Sequence, residues 1–195
     1  VTASFACVPL ASTESRTGRG RHALRLAIAA AVWTVIGFGA SAHAQSPAAS
    51  GDQLRVSYGP WAYHFNHSSE HVRYNHLVAL ELLTPRWTVW GAARTQIGFA
   101  AFDNSFGQFS QYLYVGQEWD LMPLWGGHLV LSVTAGLLHG YKEPYQDKIP
   151  FNRYGVAPVA VPALAWRYGR FSLGASVLGA NGFLFSGSWA FDLAR

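Results

Sequence analysis

The residues able to do acyl chemistry fall in two short stretches, His64 with His67 and His71, and Asp103-Asn104-Ser105. An imidazole can take the proton of a serine hydroxyl, and a neighbouring carboxylate can hold that imidazole in the required tautomer and orientation. Asp, Asn, Ser and Gly are also ordinary turn residues, so Asp103-Asn104-Ser105-Phe106-Gly107 reads equally as turn chemistry. A third reading gathers His64, His67, His71 and His76 around a metal ion, since imidazoles are common ligands. No matching set of Asp, Glu or Cys accompanies them, so surface histidines are the simpler account, and neither a metal nor another cofactor is expected. The only cysteine is Cys7, which leaves the rest of the chain without a thiolate site or a disulfide framework.

Whether these stretches meet depends on the scaffold that carries them. The chain has 195 residues, the size of one domain. Half of the residues are hydrophobic and 15% aromatic, while only 12% are charged, about half the charge of an ordinary soluble domain. A surface so poor in charge needs apolar surroundings. Beyond residue 45 there is no run of about 20 apolar residues for a membrane helix; apolar residues are spread in alternation instead. The formal charge of +4 does not point to nucleic acid. Four of the 14 basic and one of the 10 acidic residues precede residue 45, leaving 10 against 9 with no basic stripe.

Residues 1–44 read as a cleaved Sec-type signal peptide. Arg16, Arg19, Arg21 and Arg25 precede the apolar stretch 26–39, and Ala42-His43-Ala44 puts small residues at the cleavage positions. Cleavage is expected before Gln45. An uncleaved anchor would need a longer apolar stretch, and a twin-arginine signal would need Arg19 and Arg21 to be adjacent. Residues 45–53 form a short polar segment without a helix pattern.

The remainder, 54–195, divides into eight stretches of β-formers: 54–65, 74–83, 87–102, 109–121, 128–140, 154–166, 171–179 and 183–193. Thr84-Pro85-Arg86 predicts a tight turn, although Gly91-Ala92-Ala93 offers another place for that hairpin. Further turns are predicted at Pro123 with Gly126-Gly127, at Gly169, and at Ala180-Asn181-Gly182. An even number of antiparallel strands, alternating short turns with longer loops, predicts an all-β, eight-stranded transmembrane β-barrel of the bacterial outer membrane, a monomer. With the N-terminus periplasmic, the loops near Ser68, Asn104, Gln146 and Asn181 face outward, and His64, His67, His71, Asp103, Asn104 and Ser105 share that rim. Trp61, Tyr63, Trp87, Trp119, Trp166 and Trp189 fit interfacial girdles. The alternative, a soluble sandwich or lipocalin-like barrel, would put far more Lys and Glu outside. Pro158 and Pro162 lie four residues apart in one strand, where each removes a ladder donor. They mark either a bulge or a weakened wall that admits a lipid tail sideways.

An ordered set of short motifs, spread from Trp61 to Leu193, resembles the outer-membrane lipid A palmitoyltransferases. The set comprises Trp61 and His64, Arg73-Tyr74-Asn75, Phe102-Asp103-Asn104-Ser105, Gly116-Gln117-Glu118, Thr134-Ala135-Gly136, Pro158-Val159-Ala160-Val161-Pro162 with Tyr168-Gly169, and Asn181-Gly182. The resemblance implies transfer of a palmitoyl chain from a phospholipid to lipid A. It implies that His64 and Ser105 are the catalytic His and Ser, that Gly116 is the floor of an acyl pocket, and that Pro158 and Pro162 flank a lateral opening for lipid. The family's Asp position holds Asn104, with Asp103 beside it on what a regular strand makes the opposite face. An Asn carries no charge to stabilise an imidazolium. That departure supports the other functional reading, a non-catalytic barrel acting in structure, surface interaction or solute passage. The polar segment 45–53 also lacks the family's amphipathic helix, and Ala194-Arg195 follows a C-terminus where an aromatic is usual.

Overall fold

A computed structural model describes residues 51–65, 72, 74–179 and 182–193. The signal-peptide reading, most of the polar segment, His67, His71, Arg73, Ala180-Asn181 and Ala194-Arg195 lie outside those residues. The described chain forms eight strands: β1 (Gln53–His64), β2 (Tyr74–Thr84), β3 (Arg94–Asp103), β4 (Phe109–Leu124), β5 (Gly127–His139), β6 (Val156–Tyr168), β7 (Phe171–Val177) and β8 (Gly182–Asp192). Each runs antiparallel to the next, and β8 pairs with β1 to close a barrel. Closure satisfies the backbone of the first and last strands, which would otherwise be open edges.

Several boundaries differ from the sequence reading: β6 is shifted two residues later, to end at Tyr168, β7 ends at Val177, and three further differences matter more. The stretch 87–102 is not one strand: β3 begins at Arg94, and residues 85–93 form a longer connection than a tight turn at 84–86, one that takes in the alternative bend at Gly91-Ala92-Ala93. Trp87, Trp90 and Gly91 have φ of 58°, 52° and 72°, which breaks the extended run. Gln117 and Trp119 of β4 hold the connection, through Val89 N to Gln117 Oε1 at 3.2 Å and Trp119 Nε1 to Trp90 O at 3.0 Å. Pro123 lies in β4 opposite His128, and the turn there is Trp125-Gly126, with φ of 48° and 75°. Gln53 belongs to the barrel and not to the polar segment, since it pairs with both Leu83 and Asp192.

The strand alternation separates two faces. Val78 and Leu80 of β2, Leu113 and Val115 of β4 and Leu137 of β5 are exposed on the outside, whereas Ala79, Tyr112, Tyr114 and Leu138 are buried inside. The interior is itself layered. Toward the end that carries the longer loops, Ala79, Ala100, Tyr112, Tyr114 and Leu138 form an apolar cluster. The rings of Tyr112 and Tyr114 stack with centroids 4.6 Å apart. Tyr114 lies across Gly98, where a Cβ would come within 2.5 Å of its ring, so that position must be glycine for the layer to pack.

Toward the opposite end the interior is ionic. Glu81, Arg55, Glu118, Arg167 and Asp120 form a chain of alternating charge: Arg55 bonds Glu81 at 2.7 Å and Glu118 at 2.8 Å, and Arg167 bonds Glu118 at 2.5 Å and also Asp120. Glu118 is 1% exposed and gives one carboxylate oxygen to each arginine. A buried ion pair adds little net stability over an apolar substitute, but removing one partner strands the other charge. Glu118→Ala is therefore expected to lower the unfolding free energy of the barrel by about 3–5 kcal/mol, measured by denaturant titration in micelles. Arg170→Ala, which breaks an exposed pair with Asp192, should change it by less than about 1 kcal/mol.

Candidate active site at the barrel rim

His64 faces the interior because the alternation of β1 breaks near Pro60. Arg55 and Ser57 point inward from the lower half of the strand, and regular alternation would carry the inward set to the odd-numbered positions 61 and 63. The register shifts between Gly59 and Trp61 in the pairing with β2, and between Tyr58 and Trp61 in the pairing with β8. Pro60, which has no N–H to give a ladder, sits within this bulge. Beyond it Ala62 and His64 are buried, while Trp61 and Tyr63 are exposed.

Ser105 is brought to His64 by the loop after β3. The His64 Nε2 and Ser105 Oγ are 2.6 Å apart. At that distance a neutral imidazole with Nε2 unprotonated accepts the hydroxyl proton, the arrangement a base and an activated hydroxyl require. The serine's backbone is fixed as well, since its carbonyl accepts a hydrogen bond from Val72 N at 2.9 Å.

Asn104 makes the bend that delivers Ser105. Its side-chain Oδ1 accepts the backbone N–H of Phe106 at 2.9 Å and of Gln108 at 3.0 Å, and its main chain closes the turn with Gly107 and Gln108. The residue is 1% exposed. This is an Asx-type turn, in which a short carbonyl-bearing side chain substitutes for backbone. The turn reading and the site reading of 103–107 are thus one device. Asp103, in contrast, belongs to the outer face. It pairs with Phe109, whose side chain is exposed, while its neighbours Phe102 and Ser110 pair on the inner face. Its carbonyl accepts the Asn75 Nδ2 at 2.7 Å, which anchors the end of β3 to β2.

Tyr141, in the loop between β5 and β6, is the member that sequence reasoning missed. Burial raises the pKa of its phenol above the usual value, partly offset by the nearby Ser105, so the phenol stays protonated at neutral pH. Phe106 packs edge-on against the Tyr141 ring with centroids 6.2 Å apart and stacks on Tyr145 at 4.0 Å. An isolated Tyr in a long loop carries no spacing signal, so only the folded loop brings it to the site.

The other predicted residues are placed as follows. His76 is exposed on the outer face of β2, away from the inward His64, so these two do not share a site. Among the described residues no group of His, Cys, Asp and Glu has the arrangement of a metal site. Gly116 faces inward between Gln96 and Thr134, where the aromatic layer meets the ionic one. A Cβ there would come within 2.5 Å of Val133 O and 2.8 Å of the Thr134 side chain, so any larger residue must push the wall. Pro158 and Pro162 point outward on β6 and pair with Leu137 and Val133 of β5. On its other side β6 pairs with β7 only from Ala163 to Tyr168, so among the described residues the first half of β6 has no β7 partner. The inward residues Val159, Val161, Ala163, Gly174 and Ser176 on this side are half-exposed, which leaves accessible space inside the barrel along β6 and β7.

No protein-family model matches the chain, and no curated protein matches it significantly. The turn gives a direct test. Asn104→Ala leaves the N–H groups of Phe106 and Gln108 without their acceptor and should cost about 1–3 kcal/mol of stability. Asn104→Asp keeps the oxygen that accepts both N–H groups and should lose less stability than Asn104→Ala at about pH 4, where its carboxyl is largely protonated, and progressively more as the buried group ionises at higher pH, both read by denaturant titration.

Proposed function

We propose that this protein is a lipid acyltransferase of the bacterial outer membrane, taking an acyl chain from a phospholipid and placing it on lipid A. The observation that carries the reading is the inward-facing His64 with its Nε2 2.6 Å from Ser105 Oγ, at the loop-bearing rim of a closed barrel. In the first half of the transfer, the His64 imidazole takes the Ser105 proton as Oγ bonds to the donor's ester carbonyl carbon, the ester C–O bond breaks, and the proton passes to the oxygen of the departing lysophospholipid. In the second half, a lipid A hydroxyl gives its proton to His64 as its oxygen bonds to the acyl-serine carbonyl carbon, and the proton returns to Ser105 Oγ as the acyl–serine bond breaks. The Asn104 turn holds Ser105 in position. Atoms balance without a metal or soluble cofactor.

The membrane setting is supported by the outer face. Among the described residues it carries exposed Leu, Val and aromatic side chains between two belts of rings. Trp61 and Phe185 stack at 5.3 Å near the site end, and Trp166 and Tyr168 at 5.8 Å near the ionic end. Such belts suit the two bilayer interfaces, and the signal-peptide pattern of residues 1–44 fits an exported chain. The first half of β6, without a described β7 partner and carrying Pro158 and Pro162, supports sideways passage of a tail into the accessible space along β6 and β7.

A second reading is favoured by Asn104. Its oxygen is committed to the turn and it carries no charge, which suits a barrel retained for structure or surface interaction after catalysis is lost. Lipid A mass spectra separate the two. Cells expressing the chain should gain lipid A with one extra acyl chain, and His64→Ala and Ser105→Ala should each lower that product by at least about 100-fold, the scale of lost acid–base assistance. Unchanged lipid A with a folded barrel in the outer membrane would favour the second reading.

A further inference from the structure

The end of the barrel opposite His64 holds chemistry that acyl transfer leaves unused. A cavity of about 230 Å³ lies there, room for a tetrahedral oxyanion and several waters at roughly 30 Å³ of liquid volume per water. Arg55, Arg94, Arg167, His128, Gln53 and Ser172 line it, and no described carboxylate does. Gly126, Gly127 and Gly169 complete part of the wall, so no side chain there obstructs an approaching ligand.

The three arginines differ in how they are used. Arg55 and Arg167 are each held between two carboxylates of the ionic chain. Arg94 is 5% exposed, yet among the described residues it makes no ion pair. Its Nη1 donates to Gln53 Oε1 at 2.5 Å, and Gln53 in turn donates to Asp192 at 2.7 Å. A guanidinium presents five donors in a planar fork, so a single neutral amide leaves most of this one uncommitted. A buried cation in that state is expensive unless something anionic meets it.

We propose that this cavity binds a phosphate group, with Arg94 as its principal ligand through the unused edge of the guanidinium and Ser172 as a neutral donor. Bidentate Arg–phosphate geometry accounts for the residue type, and the surrounding arginines add field without being displaced from their own carboxylates. The phosphate has two chemical sources, free inorganic phosphate or the headgroup of an anionic phospholipid at that membrane face. The site stands independently of acyl transfer.

Calorimetric titration of the full chain in zwitterionic micelles tests this, with sodium phosphate as one probe and short-chain phosphatidic acid as the other, at low ionic strength against a chloride control. Saturable binding of at least one probe, one per barrel, is expected. Arg94→Gln should weaken it at least tenfold, while Arg86→Gln, an exposed arginine paired with Asp52, should not. Competition between the probes ranks the two sources. Ser172→Asp places a carboxylate in the cavity wall and should also abolish binding, which keeps the test open if Arg94→Gln does not fold. The absence of saturable binding by either probe, or unchanged affinity in both Arg94→Gln and Ser172→Asp, would overturn the proposal.

Discussion

Everything at the rim depends on the irregularity in β1 near Pro60. Alternation along a strand has period two, so a slip of one position exchanges the inner and outer faces. The lower half of β1 must send Arg55 inward, because Glu81 and Glu118 are buried and need its guanidinium. The upper half must send His64 inward if it is to meet Ser105. Without the bulge, Arg55 and His64, nine positions apart, would lie on opposite faces. The irregularity at Pro60 satisfies both demands in one strand, and the proline costs nothing there because the bulge leaves that backbone unpaired.

The two interior layers then divide the work. The ionic chain locks β1, β2, β4 and β6 together through Glu118 and its two arginines, a rigid crosslink at the end away from the site. The aromatic layer above it stacks Tyr112 and Tyr114 against the small residues Gly98 and Ala100, while Val161, Ala163, Gly174 and Ser176 leave the β6–β7 side less filled. A barrel of eight strands has little interior to spare. The asymmetry of side-chain size concentrates the available space on the side where β6 and β7 are least paired. Stiffness on one side and room on the other suit the proposed handling of a flexible chain at this rim.

Much of the scaffold was legible in the sequence because period-two alternation, turn residues and scarce charge are local signals. The eight strands, their antiparallel order and the grouping of Leu77, Ala79 and Glu81 on one face of β2 all follow from them. The failures have local causes too. The stretch 87–102 contains strand-favouring Trp and Val, and nothing in those residue types announces the positive φ at Trp87 and Trp90 that turns them into a connection. At the rim, His64 and Ser105 were identified as a pair, yet the reason they meet was not visible. A proline in a strand signals a bulge without giving its register. Asn104 looked like a defective carboxylate, whereas its position makes it the hinge of the serine's turn. Tyr141 and Arg94 gave no signal, since their significance rests on which groups lie across the barrel from them.

The hydrogen bond between His64 and Ser105 is the central claim, and nitrogen-15 NMR of the His64 ring in micelles tests it most directly. The account predicts a neutral ring protonated on Nδ1, with the Nε2 resonance displaced by hydrogen bonding and returning toward the free-imidazole position in Ser105→Ala, while Nδ1 stays nearly fixed. An Nε2 resonance that is the same in the native chain and in Ser105→Ala would contradict it.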